Sequence, residues 1–182
     1  MTKTVKQLAF VFSGLAIITA FFLFTKSFNV EAAQKDKKQF HDWTTNCSKS
    51  GSDEICMAVQ SVPSNESKDS KDQKILAIYR FGYFNDVETK KKLLRFICSL
   101  PTDVLVKPGV GIVVDKEIVV KAEFTLCNSG SCQAEAVIAD QDMEKIAKGK
   151  EYAVIFLNTE QKQVGVPFSV KGLQEALAFL NK

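Results

Sequence analysis

Histidine is almost missing from this chain. His41 is the only one in 182 residues, so any Ser/His or Cys/His mechanism must use it. It stands in a polar stretch, beside Asp42 and before Trp43, where a solvent-exposed side chain is expected. No C-x-x-C occurs, which leaves a thioredoxin-like redox motif without support. No internal repeat is present. An excess of one charge is also lacking. The formal net charge is +3, and without residues 1–32 the remaining 150 carry 21 basic against 20 acidic side chains. That balance argues against nucleic acid, whose binding domains carry basic patches. Long apolar runs are confined to one block at 8–24, which excludes a multispanning membrane protein. A content of 46% hydrophobic and 25% charged residues excludes wholesale disorder.

The apolar block has the grammar of a leader. Lys3 and Lys6 form a basic start, and the 17 apolar-rich residues follow. Val30-Glu31-Ala32 then fits a cleavage site after Ala32. As a helix the block spans about 25 Å against roughly 30 Å of hydrocarbon, and Ser13, Gly14 and Thr19 dilute it. The rival reading is an uncleaved anchor. Either way residues 33–182 are expected outside the cytoplasm, with no transmembrane domain left after leader cleavage.

Residues 33–42 are polar and Lys-rich and are expected to be a flexible lead-in to a single domain at 43–182. Eight segments have strand composition: 55–62, 75–84, 93–100, 111–114, 118–126, 133–138, 152–157 and 164–170. Each is rich in Val, Ile or Phe and bounded by turn residues. From Val120 to Leu126 apolar residues alternate with Lys121, Glu123 and Thr125, as on a half-buried strand. One short helix is expected at 140–149, with Asp140 as N-cap, acids early, Lys late and Gly149 as its stop. Leu173, Ala176, Leu177 and Leu180 recur at helical spacing and mark a C-terminal amphipathic helix. The predicted fold is mainly β, an antiparallel sandwich or barrel-like domain carrying these two helices.

Two loops are polar. The first, 61–74, has no large apolar residue after Val62 and contains the sequon Asn65-Glu66-Ser67, which matters only in a eukaryotic secretory pathway. The second holds Lys90, Lys91 and Lys92 and reads as a solvated turn, with an acidic partner as the sharper alternative.

Cys47, Cys56, Cys98, Cys127 and Cys132 all lie in the exported part. Export and this number of cysteines point to disulfides. Small, turn-forming residues separate Cys47 from Cys56 and Cys127 from Cys132, which favours local pairing. Cross-pairing between the two clusters remains open. A four-thiolate zinc site is disfavoured by the C-x8-C and C-x4-C spacings. Cys98 shares a strand face with Leu94, Phe96 and Leu100 and is expected to be a buried free thiol.

No constellation reads as catalysis. Asp53, Glu54, Asp115 and Glu117 occupy turn-like positions, and helix capping accounts for Asp140 and Asp142. The G-x-G at Gly109 and Gly111 follows Pro108 and precedes a strand, so phosphate binding is not indicated. No catalytic residue, cofactor or metal is assigned. A ligand pocket would need aromatics such as Tyr79, Phe81, Tyr83 and Phe84, yet alternation sends the first three to one face, the habit of a core.

Taken in order, these pieces resemble the invasion-associated locus B family of exported bacterial proteins. The matching parts are the leader, Trp43 with Cys47 four residues on, and Cys56. They continue with Leu100-Pro101, the stretch from Val106 to Asp115, the stretch from Phe124 to Ala134, and the stretch from Val166 to Ala176. The resemblance covers about residues 42–180. It implies two cysteine pairs matching Cys47/Cys56 and Cys127/Cys132, leaving Cys98 outside the pattern. It also implies a small protein of the Gram-negative envelope, periplasmic or outer-membrane associated, without an agreed enzymatic site. Some relatives are linked to invasion of host cells. The resulting expectation is a non-enzymatic protein acting through contacts with an envelope or host-surface partner. The alternatives are a periplasmic binding module for a small ligand or cell-wall fragment, and a hydrolase or thiol enzyme using His41 or Cys98.

Overall fold

In a computed structural model of the chain, residues 37–50, 53–64 and 75–181 are described. The leader expected at 1–32 and the sequon at 65–67 lie outside them.

Ten strands and two helices follow one another. They are β1 (Gln39–Phe40), β2 (Trp43–Ser50), β3 (Asp53–Pro63), β4 (Ile75–Asn85), β5 (Lys92–Leu100), β6 (Val110–Val114), β7 (Glu117–Cys127), β8 (Cys132–Val137), α1 (Asp140–Lys148), β9 (Tyr152–Leu157), β10 (Gln163–Pro167) and α2 (Leu173–Leu180). The strands form one antiparallel sheet in the order β1-β2-β3-β4-β5-β8-β7-β6-β9-β10, open at β1 and β10. Strand β7 joins its two halves, because Glu117–Ala122 pairs with β6 while its C-terminal part pairs with β8. The halves face each other as a sandwich. Across the space between them, the Tyr79 hydroxyl on β4 donates to the Val166 carbonyl on β10 at 3.1 Å.

The core between the halves is aromatic. Trp43, Tyr79, Phe81 and Phe96 have no accessible surface. Their rings sit 5.1 Å apart for Phe81–Phe96 and 5.6 Å for Trp43–Phe81. Each such side chain is worth about 3–5 kcal/mol against alanine. Side chains of β2 and β3 hold the segment that follows β10. The Trp43 indole N–H donates to the Ser169 carbonyl at 2.7 Å, and the Ser169 N–H donates to Gln60 Oε1 at 3.0 Å.

All eight expected strands are present, and several expectations need correction. Strand β2 was not expected, since Trp43–Ser50 is mostly polar. It forms because Trp43 and Thr45 alternate inward and are wholly buried. Within the expected lead-in, Gln39–Phe40 pair with Trp43–Thr44 as β1, and Phe40 packs on Phe179 of α2. In β7 the alternation breaks. A β-bulge between Phe124 and Leu126 turns Leu126 outward to 60% exposure. Asp140 is the first helical residue and not the N-cap, which is Ala139. Gly149 does end α1, but at φ −69, so left-handed geometry is not the reason. A Cβ there would lie 2.1 Å from Val114 Cγ1, so only glycine fits. Strand β10 stops at Pro167 rather than running to Val170. On α2, Leu173, Ala176 and Leu177 are buried, as their spacing predicts.

Candidate functional site

The cysteines divide as local pairs. Cys47 faces Cys56 in the β2–β3 register, and Cys127 faces Cys132 in the β7–β8 register. Both pairs are disulfides with Cα atoms 4.0 Å apart, the close spacing of directly opposed antiparallel residues. Cys98 is a free thiol with no accessible surface, between Tyr79 of β4 and Ala134 of β8. Burial pushes its pKa up to about 12, so it stays protonated and a poor nucleophile at neutral pH.

His41 lies in the tight turn between β1 and β2, exposed and at φ 51. That turn rests on the one preceding α2. Gly172 is at φ +88, and a Cβ on it would lie 2.0 Å from the Phe40 carbonyl oxygen. His41 lines a cleft of 270 Å³ with Met143, Leu173 and Glu175 on one side. On the other it lines an open hollow of 590 Å³ with Gln60 and Pro167. Among the described residues no hydrogen bond or ion pair reaches its ring.

The carboxylates serve the scaffold. Asp115 and Lys116 both have positive φ in the β6–β7 turn. The Asp115 carboxylate accepts the Glu151 and Lys150 N–H groups, each at 3.0 Å. Those bonds hold its pKa below the usual value. Asp140 and Asp142 sit in the first turn of α1, where the helix dipole favours them. Glu54 and Glu117 are exposed near strand starts. Gly109, at φ +72, makes the turn expected after Pro108.

The aromatics are used in packing. Tyr79 and Phe81 are core. Tyr83 and Phe84 are half-buried on opposite faces of β4, with Lys92 Nζ 5.1 Å and Arg95 Cζ 5.7 Å from their respective ring centres. Lys92 also donates to Asn181 Oδ1 at 3.0 Å, so one member of the lysine run pins the C-terminal end of α2.

Sequence reasoning passed over one cleft. It measures 280 Å³ and lies over β4, β5 and the β7–β8 turn, with Arg80, Ser99 and Ser131 on its wall. Among the described residues no three His, Cys, Asp or Glu side chains are placed to hold a metal ion. No helix among them is long and apolar enough to cross a membrane.

These features define a small antiparallel sandwich clamped by two cross-strand disulfides. The sequence profile of the invasion associated locus B (IalB) proteins matches residues 43–181, and the chain belongs to that family. A crystal structure of invasion associated protein b from Bartonella henselae has a similar fold. It gives a TM-score of 0.64, covering 80% of this chain and 94% of that one at 13% identity. None of the curated proteins compared matches the chain.

Proposed function

We propose that this IalB-family protein is exported to the bacterial envelope and works there without catalysis, by presenting its surface to an envelope or host-surface partner. Its residence is periplasmic or outer-membrane associated. One observation carries the reading. The sole histidine and the sole free thiol are kept apart in unsuitable settings, His41 exposed on a turn and Cys98 sealed in the core. A nucleophile and base that act together need hydrogen-bond reach. Two disulfides support an oxidising compartment, where they persist. A role in invasion is suggested by the name of the Bartonella henselae protein.

The test compares wild type, His41→Ala and Cys127→Ser for envelope level, N-terminal sequence and host-cell uptake. His41→Ala is expected at wild-type level with full uptake. Cys127→Ser is expected to lose abundance and uptake together, because a lost disulfide removes about 2–5 kcal/mol. A stable, exported His41→Ala protein without activity overturns the non-enzymatic reading. A species that starts at Met1 in washed membranes replaces the cleaved leader with an anchor.

A further inference from the structure

Arg80 and Arg95 are the only arginines of the chain. They project from the same outward face of the sheet, where Arg80 is opposite Ile97 and Arg95 is opposite Gly82. Their partners differ. Arg95 pairs with Glu135 at 3.8 Å. Glu135 lies one strand beyond Ile97 in the row that starts at Arg80, and it also accepts from Gln133 Nε2 at 2.8 Å. The acid that could have neutralised Arg80 is thus engaged elsewhere. Among the described residues no carboxylate pairs with Arg80, and its one side-chain bond runs from Nη1 to Ser99 Oγ at 2.9 Å.

A half-buried guanidinium with no counter-ion among the described residues is an unfavourable arrangement, since burial penalises charge and only pairing offsets it. Desolvation by burial accordingly lowers its pKa, with the nearby Cys98 acting the other way. The guanidinium borders the 280 Å³ cleft, whose remaining walls are apolar at Ile78, Leu100 and Pro101 and carry the Ser99 and Ser131 side chains. The far wall is held in place. Asn128 Oδ1 accepts the Gly130 and Ser131 N–H groups at 2.8 and 2.9 Å, and the Cys127–Cys132 disulfide closes the same turn. A cation, hydroxyls and apolar walls on a fixed frame are the ingredients of a small-ligand site.

We propose that this cleft binds a monocarboxylate carried on an apolar body, the guanidinium receiving the carboxylate and the aliphatic walls receiving the body. One guanidinium, with no second cation among the described residues that line the cleft, suits a single negative charge better than a phosphate dianion, and its planar fork matches a carboxylate. The cleft is smaller than the sites that enclose drug-sized molecules, so it takes an end group: one acyl chain, or one C-terminal residue of a peptide. The inference rests on the reading of this protein as one that works by binding.

Titration of the full, disulfide-bonded chain by calorimetry tests it with two probes, octanoate and N-acetyl-alanyl-leucine. Each is paired with its uncharged amide. Saturable binding of one or both acids is expected, with the stronger acid identifying the source, and the amides weaker by at least about tenfold. Arg80→Met keeps the aliphatic stem and removes the charge. It should abolish acid binding while the thermal midpoint holds or rises, because no carboxylate among the described residues pairs with the charge it removes. Ser99→Ala should weaken binding several-fold and serves if Arg80→Met does not fold. Binding that survives both substitutions, amides that bind as well as acids, or no saturation by either acid overturns the proposal. None of these results touches export or uptake. Loss of uptake in His41→Ala would overturn the non-enzymatic reading while leaving the cleft intact.

Discussion

Trp43 and Ser169 stand 126 residues apart and are joined by one hydrogen bond, from the indole N–H to the carbonyl at 2.7 Å. Trp43 lies at the start of β2, and Ser169 follows the last strand. The bond, with Gln60 beside it, ties the segment after β10 to the start of β2.

Trp43→Phe keeps an aromatic ring in the core and deletes the donor. Ser169 is then left with the longer Gln60 Nε2 contact at 3.4 Å. The expected loss is about 2 kcal/mol, combining a weakened buried carbonyl with a small void. Urea denaturation measures it. A midpoint equal to wild type would show that the indole N–H is incidental.

Glycine matters at Gly172 and not at Gly130. Gly172→Ala forces a Cβ into the Phe40 carbonyl at a positive φ, whereas the only neighbour of a Cβ at Gly130 is Asn128 Oδ1 at 3.6 Å. The first substitution should cost about 2 kcal/mol or more and the second within about 0.5. Equal thermal midpoints for the two variants would contradict the contact between the β1–β2 turn and the α2 turn.

Cys98 should resist modification in the native protein. Iodoacetamide is expected to label no thiol in the folded, oxidised chain and one in denaturant. Because burial holds its pKa near about 12, raising the pH from about 7 to 9 should leave native labelling unchanged. Rapid labelling that climbs over that range would place the thiol at the surface.

Asp115 ties acid stability to one turn. Its folded-state pKa lies below the ordinary aspartate value, chiefly through the Glu151 and Lys150 N–H groups. Its contribution is therefore complete above the unfolded pKa and is lost as the pH falls through the folded one. From about pH 5 downward, wild type should lose stability more steeply than Asp115→Asn. Asp86, lowered by its bonds to Thr89, acts in the same direction in both proteins. Parallel pH profiles of the urea midpoint would remove Asp115 from this role.

The periodic parts of this fold were legible because they obey a single rule. Strands β4, β5 and β9 are apolar enough to declare themselves, and α2 shows its buried face at every third or fourth residue. Strand β2 was hidden because its merit is positional: Thr45 and Cys47 look like loop residues until Trp43 fixes which way they point. The bulge near Leu126 was equally hidden, since alternation carries no mark of the residue at which a ladder slips. At Gly149 the reason for glycine lies 35 residues away, at Val114. The candidate chemistry divides in the same way. His41 and Cys98 could be placed from their neighbours in sequence. The interest of Arg80 depends on where Glu135 points, two strands across the sheet, and only the tertiary structure holds that relationship.

The seam at Trp43 also sets an order in time. A chain made from its N-terminus emerges at roughly 5–20 residues per second, and its hairpins pair as they appear. Strands β2 to β5 can assemble from neighbours alone, but the indole of Trp43 has no acceptor until Ser169 arrives. For that interval, about 6–25 seconds at those speeds, the aromatic face of the first half is without its lid. A chain in this state exposes the apolar surface that a holding chaperone recognises, and the segment that carries Ser169, not the first strands, completes the core.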